Sequence, residues 1–286
     1  MRIHPDAIIS PSESSLAEAI SEIAAPLHEI AREAGGIANR YFRPGATTSA
    51  RIWAKDGGSP VTEADVSVDA FLKIRLSQLA PDAAWLSEET ADNPVRLDAD
   101  LVWIVDPIDG TRAFLSGHPD WSVSIALLAR GAPVLAVVYA PALETFYEAR
   151  AGAGAFADGA GLAVSTRPTL REARVSGPQS MADALARSVG PVSRLPRIPS
   201  LALRIARVAA GDVDIGLVTR NARDWDIAAA DLILREAGGV LSDDAGSPPV
   251  YNRPDPVHGE LFAAAAVLHP GLIEAMTSPQ GRIRAV

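Results

Sequence analysis

A chain of 286 residues that is 48% hydrophobic can bury a sizeable core and falls between one large domain and two modest ones. Its formal charge of -9 speaks against a nucleic-acid polymer or a membrane surface as partner, since each calls for a basic patch; a small anionic ligand would need metal ions or a few placed arginines. With no cysteine, disulfides, thiolate metal sites and cysteine nucleophiles are excluded, and a cytoplasmic protein is permitted.

Residues 1–15 lack a basic segment followed by an apolar run and do not read as a signal peptide. The longest apolar runs, 135–143 and 261–268, are about half of the ~20 residues that a membrane helix needs. Over 12–42, Leu16, Ile20, Ile23, Leu27, Ile30, Ala34, Ile37 and Tyr41 recur at three-four spacing, which predicts a long amphipathic helix kinked at Pro26. A Gly- and Ser-rich loop holding Lys55 follows. Thr62 then opens a second helix, with Val68, Phe71, Leu72, Leu76 and Leu79 as its buried stripe and Pro81 as its end.

From 83 to 156 the texture changes to short β-rich runs at 84–86, 101–105, 122–128, 134–139 and 145–149, which predict a largely antiparallel sheet. Strand-like and helix-like pieces alternate beyond it: 173–176, a helix over 200–210, 213–218, a helix over 226–237, and an apolar run at 261–267. This order of elements fits two α/β lobes, 1–165 with the antiparallel sheet and 166–286.

Three acidic segments fall at element ends, where a cleft can be shared: Ser87-Glu88-Glu89, Asp106-Pro107-Ile108-Asp109-Gly110-Thr111 and Asp224-Trp225-Asp226. A rigid turn after the strand at 101–105 would let Asp106, Asp109 and the Ile108 carbonyl face one point. Oxygen-only ligands suit Mg²⁺. Zinc is disfavoured, because there is no Cys and the five histidines are scattered. Taken singly, each segment has an ordinary reading: a β-turn, a solvated Glu88-Glu89 pair, an Asp226 favoured by a helix N-terminus, and a capping box for Thr62 with Asp65. Their joint appearance favours a metal site.

The run Trp103-Ile104-Val105-Asp106-Pro107-Ile108-Asp109-Gly110-Thr111 resembles the first signature of the inositol monophosphatase superfamily, whose members are metal-dependent, lithium-sensitive phosphatases. Trp225-Asp226-Ile227-Ala228-Ala229-Ala230-Asp231, followed by Glu236-Ala237-Gly238-Gly239, resembles the second. Glu88 stands at the expected upstream glutamate, and Ser59-Pro60-Val61-Thr62-Glu63-Ala64-Asp65 matches the segment before helix two. The resemblance spans nearly the whole chain. It implies a two-lobed, layered α/β/α/β/α sandwich with two or three Mg²⁺ between the lobes. Glu88, Asp106, the Ile108 carbonyl, Asp109 and Asp226 would hold the ions, and Gly110 and Thr111 would offer N–H groups to the phosphate. The Thr111 hydroxyl, paired with Asp65, would orient or activate a water; Glu88 joins them in the catalytic set. Lys55 would lie in a mobile loop near the phosphate or a weaker metal.

The resemblance covers several substrates. Inositol-specific members carry a glutamate seven residues before the second-motif aspartate, where this chain has Thr219 beside Arg220 and Arg223. A cationic rim suits a substrate that keeps a second phosphate. The segment around Lys55 resembles bacterial 3'(2'),5'-bisphosphate nucleotidases, which clear adenosine 3',5'-bisphosphate formed in sulfate assimilation. The expected substrate is therefore that bisphosphate, gripped by Ser200, Arg220 and Arg223, with inositol 1-phosphate, another sugar phosphate or histidinol phosphate as the alternative. Arg204 would be a structural residue of its helix. A non-catalytic relative would have lost a ligand or the Thr-Asp pair, and none is lost; a monomer or homodimer is expected.

Overall fold

The computed structural model of the chain describes residues 13–55 and 58–280. Most of the 1–15 segment, judged above for a signal peptide, lies outside the described residues. Five layers stack in the order helix, sheet, helix, sheet, helix. The first layer pairs α1 (Glu13–Asn39), which runs through Pro26 without interruption, with α2 (Glu63–Leu79). Between them β1 (Ile52–Ala54) and β2 (Pro60–Thr62) form an antiparallel hairpin that frames the Lys55 loop, which the sequence had left irregular.

The second layer is a seven-stranded sheet in sequential order: β3 (Ala84–Ser87), β4 (Leu101–Asp109), β5 (Ser122–Ala129), β6 (Ala132–Ala140), β7 (Thr145–Arg150), β8 (Ala155–Ala157) and β9 (Ala160–Gly161). Only β3 and β4 run parallel. All eight residues of β5 are buried, because helices cover both faces of the sheet; its near-continuous apolar run needs no alternation. After β4 comes the short helix α3 (Thr111–Ser116).

A second sheet has the order β11-β10-β12-β14-β13, built from β10 (Arg174–Ser176), β11 (Ser193–Arg194), β12 (Ile215–Val218), β13 (Gly239–Ser242) and β14 (Leu261–Ala265). The middle helix layer holds α5 (Leu201–Ala209) and α6 (Asp224–Glu236); α4 (Gln179–Val189) and α7 (His269–Thr277) cover the outer face. Three cores fill the spaces. One lies around Leu27, Leu72, Trp103 and Trp121, one between the sheets around Leu203, Ile227 and Leu241, and one around Leu185, Phe262 and Leu272. α6 is apolar on nearly every side, from Ile227 to Leu234, as expected for a helix pressed between two sheets. The central core draws on Leu86 and Val102 as well as on Leu232 and Leu261, so it crosses the 165/166 boundary expected from the sequence.

Candidate metal centre

The expected turn after residue 105 is in fact the end of a longer strand. β4 continues to Asp109, pairing Asp106 with Ser124 and Asp109 with Ser122, with a register shift between them. A bulge of this kind re-aims side chains at a sheet end. Asp106 is 1% exposed, and its Oδ1 accepts the Ile108 N–H at 3.0 Å. Asp109 faces the start of α5, where its Oδ2 accepts from Ser200 Oγ at 2.5 Å and Ala202 N at 2.7 Å. Gly110 follows with φ +89°, and an added Cβ would meet Ser200 N at 3.1 Å and Asp120 O at 3.2 Å, so glycine lets this turn pack against α5.

Asp226 arrives from α6, held by its Oδ2 on the Arg223 N–H at 2.6 Å. Oxygen atoms of Asp106, Asp109 and Asp226 all lie within 4.8 Å of one another, so segments 117 residues apart in sequence (226 minus 109) meet at one point. Burial pushes the carboxyls of Asp106 and Asp226 well above the usual range, with neighbouring carboxylates adding to it. Burial likewise takes Asp109 up to about 6, against the pull of its Ser200 and Ala202 hydrogen bonds. Without a cation, anionic oxygens crowded in a dry site repel each other.

Glu88 stands beside this trio rather than inside it. Lys55 Nζ bridges its Oε1 at 2.9 Å and the Glu89 Oε1 at 2.7 Å. Lys55 thus pairs with two carboxylates; half-buried, it keeps a raised pKa against its desolvation because Glu88 and Glu89 outweigh it. Its ammonium supplies a positive charge where the carboxylates need one. Glu89, which the sequence reading left without a role, is raised to about 7 by burial.

Asp65 closes the capping box of α2: its Oδ2 accepts from Thr62 N at 2.7 Å and Thr62 Oγ1 at 2.6 Å. Its Oδ1 is buried and has no hydrogen-bond partner. Burial raises the acid to about 6. Thr111 Oγ1 donates to the Ile108 carbonyl at 3.2 Å, so the hydroxyl meets the metal-ligand candidate Ile108 and not Asp65.

The three residues expected to grip substrate have partners within the chain. Ser200 is fully buried as the N-cap of α5, its Oγ taken up by Asp109, Leu203 N and Ser122; it orients Asp109 instead. Arg220 is solvent-facing and pairs with Glu260 at 3.4 Å, and exposed Arg223 lies over the Trp225 ring at 5.6 Å. Local sequence placed them beside the second motif, but cross-strand and stacking partners turn them away. The cleft at the carboxylates has a volume of about 440 Å³ and is lined by Glu88, Gly110 and Thr111 together with Arg112, His118 and Arg197. A larger hollow of about 870 Å³, lined by α1 and the β5–β6 hairpin, holds no such convergence of ligating groups among the described residues. Arg204 is buried and donates to the Ile198 and Leu217 carbonyls.

A further brace has almost no sequence signature. Asp224, fully buried two residues before Asp226, receives Asn252 N at 2.8 Å and faces His258 Nε2 at 2.7 Å. Asn252 in turn exchanges hydrogen bonds with Arg96, itself 1% exposed. These partners fix the start of α6 from a loop more than twenty residues downstream (252 minus 224 is 28). The second carboxylate in Asp224-Trp225-Asp226 is the one sequence hint of them.

The model of the inositol monophosphatase family matches residues 19–279. An inositol-1-monophosphatase of Mesorhizobium japonicum is 33% identical over 260 residues, covering 88% of this chain and 94% of that protein. The 3'(2'),5'-bisphosphate nucleotidase CysQ of Aggregatibacter actinomycetemcomitans is 31% identical over 244 residues, covering 79% and 86%. Among solved structures, the extragenic suppressor protein SuhB of Bartonella henselae superposes with a TM-score of 0.77 at 29% identity, over 90% of this chain and 99% of that one. With the layered fold and the converging aspartates already in hand, the chain belongs to the inositol monophosphatase family of phosphatases.

Proposed function

We propose that this protein is a Mg²⁺-dependent phosphomonoesterase acting on a small soluble metabolite, with adenosine 3',5'-bisphosphate as its preferred substrate. The observation that carries the metal assignment is the meeting of Asp106, Asp109 and Asp226 oxygens within 4.8 Å. The donor set fits a hard octahedral ion: it is all oxygen, and its raised carboxyls and the Lys55 ammonium beside Glu88 mark a place that calls for cations. Glu88, Asp106, the Ile108 carbonyl, Asp109 and Asp226 would hold two or three Mg²⁺. When bound, the ions supply charge neutralisation at the phosphoryl group and acidify water.

The chain's own groups do the rest. Gly110 and Thr111 amides orient the phosphoryl oxygens. Asp65, with Oδ1 unpartnered and its pKa about 6, suits a base near neutral pH. It takes a proton from water as the water oxygen bonds to phosphorus and the phosphorus–ester oxygen bond breaks, the departing oxygen taking a proton from solvent to leave as the alcohol. The Thr111 hydroxyl orients that water. No covalent phosphoenzyme is required, since positioning and charge neutralisation carry most of phosphoryl transfer.

Thr219 in place of the inositol-type glutamate supports the bisphosphate reading, as does the likeness to a relative named for that substrate. A second reading, inositol 1-phosphate, is favoured by Glu260: it lies one step beyond the Val218–Leu261 pair, beside Thr219, and brings a carboxylate there from the neighbouring strand. No helix among the described residues is long and apolar enough to cross a membrane, and a cytoplasmic monomer or homodimer is proposed.

Phosphate release from adenosine 3',5'-bisphosphate, inositol 1-phosphate, histidinol phosphate and fructose 1,6-bisphosphate tests this. Activity is expected to need Mg²⁺, to fall in millimolar lithium or excess calcium, and to favour the nucleotide over inositol 1-phosphate by at least about tenfold in kcat/KM. Undiminished turnover after exhaustive chelation overturns the metal assignment, and preference for inositol 1-phosphate selects the second reading.

A further inference from the structure

We propose that Arg112, Arg197 and His118 form the subsite for the second phosphate of the substrate, in place of the arginines beside the second motif. The inference rests on the phosphomonoesterase reading of the same cleft. All three line the cleft that also presents Glu88, Gly110 and Thr111.

Pairing separates these arginines from the others nearby. Arg220 is tied to Glu260, Arg207 to Asp120 and Arg194 to Asp183, while Arg223 stacks on Trp225. Arg112 and Arg197 are exposed, as Arg220 and Arg223 are, but among the described residues neither guanidinium has a hydrogen bond or ion pair within the chain. Each keeps its planar fork of donors for a ligand, the geometry that grips phosphate in bidentate fashion.

Their placement goes against local preference. Arg112 sits in the first turn of α3, where the helix dipole disfavours a cation. Arg197 stands in Pro196-Arg197-Ile198-Pro199, a stiff segment whose Ile198 carbonyl is held by Arg204 at 2.6 Å. Arg204 is itself buried and donates to carbonyls, with Asp109 as the carboxylate that acts on it, so Arg197 and Arg204 place two positive charges on one side of the cleft. Arg204 falls to about 10, chiefly through burial and then through Arg197, consistent with two cations held close. His118 adds a ring donor: its Nδ1 accepts Asp120 N at 3.2 Å, which leaves Nε2 to donate. A second phosphate can accept from these guanidinium groups in bidentate fashion, whereas a polyol hydroxyl carries no charge to pair with them.

The test compares adenosine 3',5'-bisphosphate with adenosine 3'-monophosphate, which offers the same ester without the second phosphate. In wild type the bisphosphate should lead by at least about tenfold in kcat/KM, and Arg112→Ala or Arg197→Ala should each reduce that ratio by about tenfold. Arg220→Ala and Arg223→Ala should leave it intact. A parallel calorimetric titration of the bisphosphate in Ca²⁺, without turnover, should show weaker binding by the Arg112→Ala, Arg197→Ala double variant. If the double variant keeps the wild-type ratio and affinity, the subsite is overturned and the phosphatase reading stands. If wild type binds the bisphosphate through these arginines but releases phosphate from none of the four esters, the phosphatase reading fails and the subsite stands. Absence of bisphosphate binding by wild type overturns the subsite and the bisphosphate as substrate, and leaves the phosphatase reading to the inositol 1-phosphate assay.

Discussion

Asp106→Asn is expected to lower kcat by more than the roughly 10 to 100-fold typical of groups that only support a metal ligand, and at the same time to stabilise the chelated protein. The substitution preserves shape, and the Asn oxygen can still accept the Ile108 N–H that Asp106 Oδ1 accepts at 3.0 Å. What it removes is a charge. Burial first, and then Glu88, Asp109 and Asp226, hold the Asp106 carboxyl well above its ordinary value. A carboxyl raised in the folded state favours folding below its unfolded pKa, and that favour is lost as pH rises through the folded pKa. The chelated wild type should therefore lose stability on going from mildly acid to alkaline solution, while Asp106→Asn loses less. Thermal unfolding in chelator at several pH values checks the sign. A variant within threefold of wild-type kcat, or one less stable at every pH, would show Asp106 to be a structural residue.

The second large effect belongs to Asp65 and Thr111. Asp65→Asn and Thr111→Ala should each lower kcat by about 10² to 10⁴ with little change in KM, the span given by a positioned acid–base group. If the two act on one water, the double variant should be no worse than the poorer single. The capping box supplies the competing explanation, because Asp65 Oδ2 also holds Thr62 N and Thr62 Oγ1. Thr62→Ala separates the two: it breaks the cap, at about 1 kcal/mol of stability, while leaving Asp65 Oδ1 in place. Comparable kcat losses in Thr62→Ala and Asp65→Asn, or fully additive losses in the double variant, would assign Asp65 to helix stability alone.

Much of this molecule could be read before its fold was known, and the reasons are local. The apolar stripe from Ile20 to Ala34 and the runs that became β4 to β7 record burial directly in residue order. The three acidic segments were likewise legible, because each carries its ligands within a few residues. Failures came where a side chain's partner lies far along the chain. Nothing near Ser200 in sequence announces its partner Asp109, 91 positions away. Arg220 was read as a rim cation because Glu260 arrives only through the β12–β14 pairing. The same holds for His258 on Asp224 and for Asn252 on Arg96, 156 positions apart. Strand β4 was cut short at 105 because Pro107 and Gly110 look like turn residues, whereas the sheet tolerates Pro107 at a bulge.

Diffraction from crystals soaked in Mn²⁺, a redox-stable mimic of Mg²⁺ with anomalous signal, measures the central claim most directly. The account predicts anomalous peaks among the oxygens of Asp106, Asp109 and Asp226, with Glu88 released from Lys55 to join them and the Ile108 carbonyl turned to the same point. Mn²⁺ bound elsewhere on an active enzyme, with this trio unoccupied and Lys55 still on Glu88, would contradict it.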